Sequence, residues 1–430
     1  MLARDPGTAG LYLFAAAAFS QRALAVLGCL MMLYALWRER TSAWPLLRQS
    51  PLFWCSMALV AWTLLRTAAA AVAVPQDAGL HIRDAARVVY LSGFIAVAWA
   101  LRADHRRILR FFLVAAAGFV LARLWHFDWQ FNHSQPWWQM RLGLGLEIIG
   151  LGYYAGTLLL GLVIYAPRIL GSIGSPLGIA GAGLLLTALA AASLQWVILS
   201  QSRAVWLALL PLIAVAAAFT ASGSWRRGGI RGLALLAAPA ILLLLLLVSI
   251  NATTLLERFN QEKHTIDYLL DGRLDAISSG DARGRNHSIG TRIRMLDEGY
   301  QHWLESPIAG KGPAATKLTL RNSEDRILTR YNDYHNVALD MLIRYGVIGL
   351  LILICCCKYT LSSGWQAWRR GALPPDTALF LACAMCLLLA SSLSNFRLLN
   401  FDFRYWLFLI AAPMTTFTLL QRVKADDGGG

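Results

Sequence analysis

The sequence predicts an all-α polytopic membrane protein with about twelve transmembrane helices and one large external, mostly helical loop. Three observations carry that expectation. Hydrophobic residues make up 57% of the 430-residue chain, and its mean hydropathy is +0.52. Apolar runs of roughly 18 residues or more recur, each long enough for a helix to cross a bilayer. These runs are rich in Leu and Ala without strict alternation, which excludes a closed barrel, the other structure that satisfies its backbone in lipid.

Taken in order, Leu11 to Trp37 is too long for one untilted span and carries Ser20-Gln21-Arg22 in its middle. It reads as one tilted helix or two short ones hinged there. Further spans are expected at about 51–73, 86–101, 109–125, 143–165, 175–199, 204–221, 230–250, 335–358, 376–394 and 403–421. The domains that follow are an N-terminal membrane part (1–250), a hydrophilic loop domain (251–334), and a C-terminal membrane part with its tail (335–430).

The formal charge is +15, yet most of the excess lies in short connections between apolar runs, such as Arg102, Arg106, Arg107 and Arg110. That pattern sets orientation before it implies chemistry, and it puts these connections inside and 251–334 outside. Acidic and basic residues nearly balance across 251–334, so the segment is no nucleic-acid platform. The seven cysteines all fall in or beside apolar runs, where packing explains them, and no disulfide framework or zinc site is readable.

Within the external loop, Ile293, Leu296, Tyr300 and Trp303 recur at helical spacing and predict an amphipathic helix with Arg292, Asp297 and Glu298 on its polar side. Ser306-Pro307 and Gly310-Lys311-Gly312-Pro313 end it. The stretch from His126 to Arg141 is dense in Trp and Phe, as an interfacial belt is, although Trp137, Trp138 and Arg141 could also cover a sugar or lipid.

Three residues are expected at the outer surface: Arg203, where two spans turn; Arg292, at the start of the amphipathic helix; and His335, preceding the next span. Two guanidiniums suit a pyrophosphate, each binding phosphate oxygens through a planar fork. A histidine titrates near neutral pH and can take a proton from a hydroxyl. Alone, Arg203 also fits an interfacial anchor and His335 a packed interfacial histidine. Arg294, Lys311, Arg141 and Tyr334 are further substrate-binding candidates, and Glu147 and Tyr154 further cavity-shaping ones.

These residues also carry a resemblance. His335 through Gly346, followed by Val347-Ile348-Gly349-Leu350, resembles the signature of bacterial O-antigen ligases, members of a larger ligase and polymerase group. Ser202-Arg203 before Ala204-Val205-Trp206 resembles the group's first arginine motif. Arg292, followed by Pro307-Ile308-Ala309-Gly310-Lys311-Gly312, resembles the second. Arg344 is a departure, since an acidic residue is common there; pairing with Asp340 one turn back would accommodate it.

The resemblance implies glycan transfer from undecaprenyl pyrophosphate to a lipid A–core sugar, at the periplasmic face of the bacterial inner membrane. His335 would be the base and Arg203 and Arg292 the pyrophosphate ligands, with nearby arginines lowering the histidine pKa. No Asp-x-Asp or His-x-x-x-His pair occurs in the chain, so a metal-independent, inverting reaction without cofactor is expected. The same residues could serve a polymerase or a protein O-glycan transferase. A transporter of the lipid-linked glycan fits less well, because it would carry cations deep within its spans.

Overall fold

The computed structural model of the chain describes residues 5–129, 140–226, 247–260, 288–395 and 398–420. Among the described residues there are sixteen α-helices and no strand, and eight of the helices are long and apolar enough to cross a membrane. The chain is thus an all-α polytopic membrane protein. The expected span at 230–250 lies largely outside the described residues, as do Trp137, Trp138 and residues 261–287.

Two compact units emerge: one holds residues 1–118, 261–372 and 392–430, the other 119–260 and 373–391. In the first, the long N-terminal apolar run is two helices, α1 (Pro6–Ala17) and α2 (Arg22–Arg38). They form a hairpin whose backbones touch: a Cβ on Gly10 would stand 2.7 Å from the Gly28 carbonyl oxygen. Asp5 caps α1 by accepting from the Gly7 N–H at 3.0 Å.

A short α3 (Arg40–Leu47) leads to α4 (Pro51–Ala73), which starts with a Ser50 cap and Pro51, a favoured pairing at a helix start. The run 86–101 was expected to be one span, and it is not. It is divided among α5 (Ala78–Val89), a 3-10 turn (Tyr90–Gly93) and α6 (Phe94–Ala100). α5 is two-faced, with His81, Asp84, Ala85 and Val88 buried and Ile82, Arg83 and Ala86 exposed, and Gly93 sits against the Phe408 ring at a distance a Cβ would tighten to 3.2 Å. All seven residues of α6 are buried. Next comes α7 (His105–Trp125).

The second unit is built on α8 (Ile148–Gly171), α9 (Pro176–Leu199) and α10 (Arg203–Arg226). Gly152 lets α8 approach the α9–α10 turn, where a Cβ would meet the Ser200 Oγ at 2.5 Å. Asn251, just before α11 (Ala252–Asn260), exchanges amide hydrogen bonds with Gln195 of α9 at 3.1 and 3.4 Å. Both side chains are buried, and the reciprocal pairing satisfies them.

The remaining helices are α12 (Ser288–Leu304), α13 (Ala315–Arg321), α14 (Val337–Arg369), α15 (Pro375–Ser394) and α16 (Phe401–Leu420). The amphipathic helix predicted from 293 to 303 is α12, but its buried stripe is rotated. Thr291, Met295 and Gly299 face inward, while Leu296 and Tyr300 are exposed. Gly299 explains the rotation: its missing side chain admits Tyr334 and Leu339, which a Cβ would meet at 3.0 and 2.6 Å.

Candidate active site

The sequence around His335 folds locally by a chain of side-chain-to-backbone bonds. Asn336 caps α14, its Oδ1 accepting from the Leu339 N–H at 3.0 Å. One turn into the helix, the fully buried Asp340 accepts the Tyr334 N–H at 3.0 Å. Between these two anchors His335 takes a left-handed backbone conformation, φ 54°, which costs a non-glycine residue about 1 kcal/mol. That bend brings the imidazole back over Asp333. The Asp333 Oδ1 accepts both the His335 N–H at 3.1 Å and the ring Nδ1 at 2.6 Å, and the Tyr331 ring stands edge-on to the imidazole at 5.2 Å.

With Nδ1–H given to a carboxylate, Nε2 carries the lone pair, the tautomer a general base needs. The His335 side chain keeps 24% of its surface exposed. Burial works to lower its pKa, but the hydrogen bond and charge of Asp333 outweigh burial and raise it above the ordinary histidine value. The Arg292 charge acts on His335 in the lowering direction. The expectation that arginines would hold the histidine pKa down is therefore corrected: Arg292 does press in that sense, and Asp333, which the sequence reading overlooked, prevails.

The other candidates separate by what already holds them. Arg294 forms an ion pair with Asp325 at 2.9 Å, and Lys311 forms one with Glu305 at 2.6 Å. Tyr334 is 1% exposed in an apolar cluster with Met295, Leu320, Leu328 and Ile343, its hydroxyl 3.0 Å from that of Thr319. In the second unit, Gln201 is left-handed at φ 47° and turns the chain from α9 into α10, whose first residue is Arg203. Arg141 reaches this turn, its Nε donating to the Ser200 carbonyl at 3.4 Å. Glu147 stands at the N-cap of α8, and Tyr154 is buried in that helix.

The turn Pro307–Gly312 and the glycine at 346 prove to be one backbone unit. Gly346 (φ 66°, ψ −170°) breaks α14, and a break strands carbonyls before it and N–H groups after it. The turn fills both. Lys311 and Gly312 donate to the carbonyls of Ile343 and Arg344 at 2.8 and 2.9 Å, and the Val347 N–H donates to Pro307 at 2.9 Å. Close approach demands glycine on each side, because a Cβ on Gly310 would stand 2.5 Å from the Arg344 carbonyl carbon.

Buried charges brace the same place. Arg344, 1% exposed, donates to Asp84 of α5 at 3.2 Å and to the Pro313 carbonyl, with its Nε 3.7 Å from Asp340. Arg66, within α4, donates to the Gly310 carbonyl, and the buried His81 accepts the Ala314 N–H at 3.2 Å. The anticipated Arg344–Asp340 pairing is present, but Asp84 is the nearer carboxylate. Sequence offered one usable signal for Arg66, a charge inside an apolar span, and a weaker one for Asp333, a carboxylate two residues before the histidine.

A polytopic helical membrane protein with a carboxylate-held histidine at a helix entrance defines the class. Residues 188–354 match the family model described as O-antigen ligase. The match supports an O-antigen ligase-type protein and, with it, a membrane glycosyltransferase of the ligase and polymerase kind. It runs from α9 through the break in α14 and so contains Arg203, Arg292, the 307–312 turn, His335 and Gly346. No curated protein matches the chain.

Proposed function

We propose that the chain transfers a glycan from undecaprenyl pyrophosphate to a sugar hydroxyl of lipid A–core, at the periplasmic face of the bacterial inner membrane. The observation that carries this reading is the imidazole of His335, partly exposed and held through Nδ1 by Asp333 at 2.6 Å. In the proposed step the Nε2 of His335 takes the proton of the acceptor hydroxyl as its oxygen attacks the anomeric carbon. The bond from that carbon to the pyrophosphate oxygen breaks on the opposite face, so the configuration inverts. General-base help of this kind is worth about 10²–10⁴ in rate.

Arg203 and Arg292 are the proposed pyrophosphate ligands, offsetting the charge that grows on the leaving group. In this reading the arginines take the task a metal would otherwise perform, and the reaction is metal-independent. Of the two arginines in α12, Arg292 is preferred because its charge acts on His335.

The test uses purified full-length protein, lipid A–core and a polyprenyl-pyrophosphate glycan with EDTA present. Wild type should give a slow-migrating lipid A–core product, and His335→Ala and Arg203→Ala should not. Elongated polyprenyl-linked chains in place of that product would make the protein a polymerase. Undiminished product from His335→Ala would remove the base assignment.

A further inference from the structure

The far end of α14 from His335 holds a cavity that the proposed reaction does not use. It measures about 190 Å³ and lies among the last turns of α14, the start of α4 and the end of α16. Leu46, Leu52 and Leu419 form its apolar side. Its polar side is formed by Gln49, Ser362, Ser363, Gln366 and Arg370, and among the described residues no acidic side chain lines it.

Two of these groups lack the partners that such groups ordinarily have. A helix serine or threonine usually turns its hydroxyl back to a carbonyl one turn earlier, as Thr360 does to Cys356 at 2.9 Å. Ser363 is 8% exposed, yet its hydroxyl has no hydrogen-bond partner among the described residues and lines the cavity instead. Arg370, the residue that caps α14, has no carboxylate partner among the described residues. The N-terminus of α4, capped by Ser50, adds a positive dipole end to the same wall.

The level of the cavity along the helices is marked by exposed tryptophans. Trp44, Trp54, Trp365 and Trp368 lie within a few residues in sequence of residues that line it, each between 41% and 57% exposed. Exposed Trp in such numbers belongs to the headgroup layer of a bilayer. Basic pockets between transmembrane helices at that level accept anionic headgroups.

We infer that this cavity binds the phosphate of an anionic phospholipid, with Arg370 and Ser363 on the phosphate oxygens and the leucines against the start of the acyl chains. A soluble phosphate shares the polar chemistry but has no use for the apolar wall.

The test is native mass spectrometry of the delipidated full-length protein with phosphatidylglycerol, phosphatidylcholine or inorganic phosphate. Wild type should retain phosphatidylglycerol over phosphatidylcholine. Arg370→Gln should weaken that retention about tenfold, the size of one charge-assisted hydrogen bond, and Ser363→Ala less, with thermal unfolding confirming that both variants fold. Arg369→Gln, a neighbour outside the cavity, should change nothing. Equal retention of the two lipids, or equal effects of Arg369→Gln and Arg370→Gln, would overturn the site. Displacement of the lipid by millimolar inorganic phosphate would overturn the assignment to a lipid.

Discussion

The Nδ1 of His335 lies 2.6 Å from the Oδ1 of Asp333, and the same oxygen accepts the histidine's own backbone N–H at 3.1 Å. One carboxylate oxygen thus fixes ring, tautomer and backbone together. Asp333 raises the histidine pKa above its ordinary value of 6.5 against the opposing effects of burial and Arg292.

A base must be neutral to accept a proton, so the sign of the pH effect follows. Activity should climb as pH rises through the raised pKa, with the midpoint of the acid limb above 6.5. Asp333→Asn removes the main raising charge and leaves burial and Arg292, both lowering, against the smaller raising effect of Asp340. Its acid limb should move to lower pH, while its plateau falls about 10²–10⁴-fold because the tautomer is no longer held. A pH–rate profile of both proteins from about pH 5 to 9 measures both effects at once. A midpoint unmoved by Asp333→Asn would separate the carboxylate from the base.

The break in α14 makes a second prediction. Gly346 and Gly371 share a left-handed backbone, φ 66° and 71°. Only Gly346 is pressed by another strand of backbone, that of Ile308 and Ala309, whereas Gly371 has nothing within 4 Å of a built Cβ. Gly371→Ala should therefore cost only the conformational term, about 1–2 kcal/mol. Gly346→Ala adds the expulsion of the turn that satisfies the break, and its midpoint of thermal unfolding in detergent should fall clearly further. Equal shifts would mean that the turn is not braced by the break.

The two glycines also mark what sequence could and could not reveal. Apolar length made α4, α7 to α10 and α14 to α16 legible, because a membrane span is a one-dimensional property. Gly346 and the 307–312 turn were legible as motifs, but their union was not, since backbone pairing between residues so far apart in the chain leaves no trace in spacing. The stripe of α12 was read one step out of phase, because its packing partner is set by Gly299, a residue with no hydropathy signal. Asp333 was passed over because its importance comes from the left-handed turn at His335, which residue type alone does not announce.

Arg344 gives a third prediction through Asp84 and Asp340. Its side chain is 2% exposed and those of the two carboxylates 9% and 0%, so the charges have little solvent to fall back on. Arg344→Met leaves the buried Asp340 without its ion-pair partner and Asp84 with Arg87 alone, and should destabilise by about 3–5 kcal/mol. Asp84→Asn in the same chain removes one of those acids and should recover part of the loss, a coupling of about 0.5–3 kcal/mol. Unfolding midpoints of the two single variants and the double variant measure it. Strictly additive losses would show that Asp84 and Arg344 do not act on one another.

Arg292 and Arg294 stand two residues apart on α12 and should fail differently. Arg294 pairs with Asp325 at 2.9 Å, and Asp325 in turn accepts the Ile327 N–H at 2.8 Å, so this arginine ties α12 to the segment that leads toward His335. Arg294→Gln should lower the unfolding midpoint and reduce turnover only as far as the fold loosens. Arg292 acts on the charge state of His335, and in the proposed reaction it also meets the leaving pyrophosphate. Arg292→Gln should cut turnover by about 10² or more and raise the apparent histidine pKa, since it removes a lowering charge. Steady-state kinetics over pH beside thermal unfolding, for both variants, separates the two roles. Loss of turnover from Arg294→Gln at an unchanged unfolding midpoint would pass the phosphate role to Arg294.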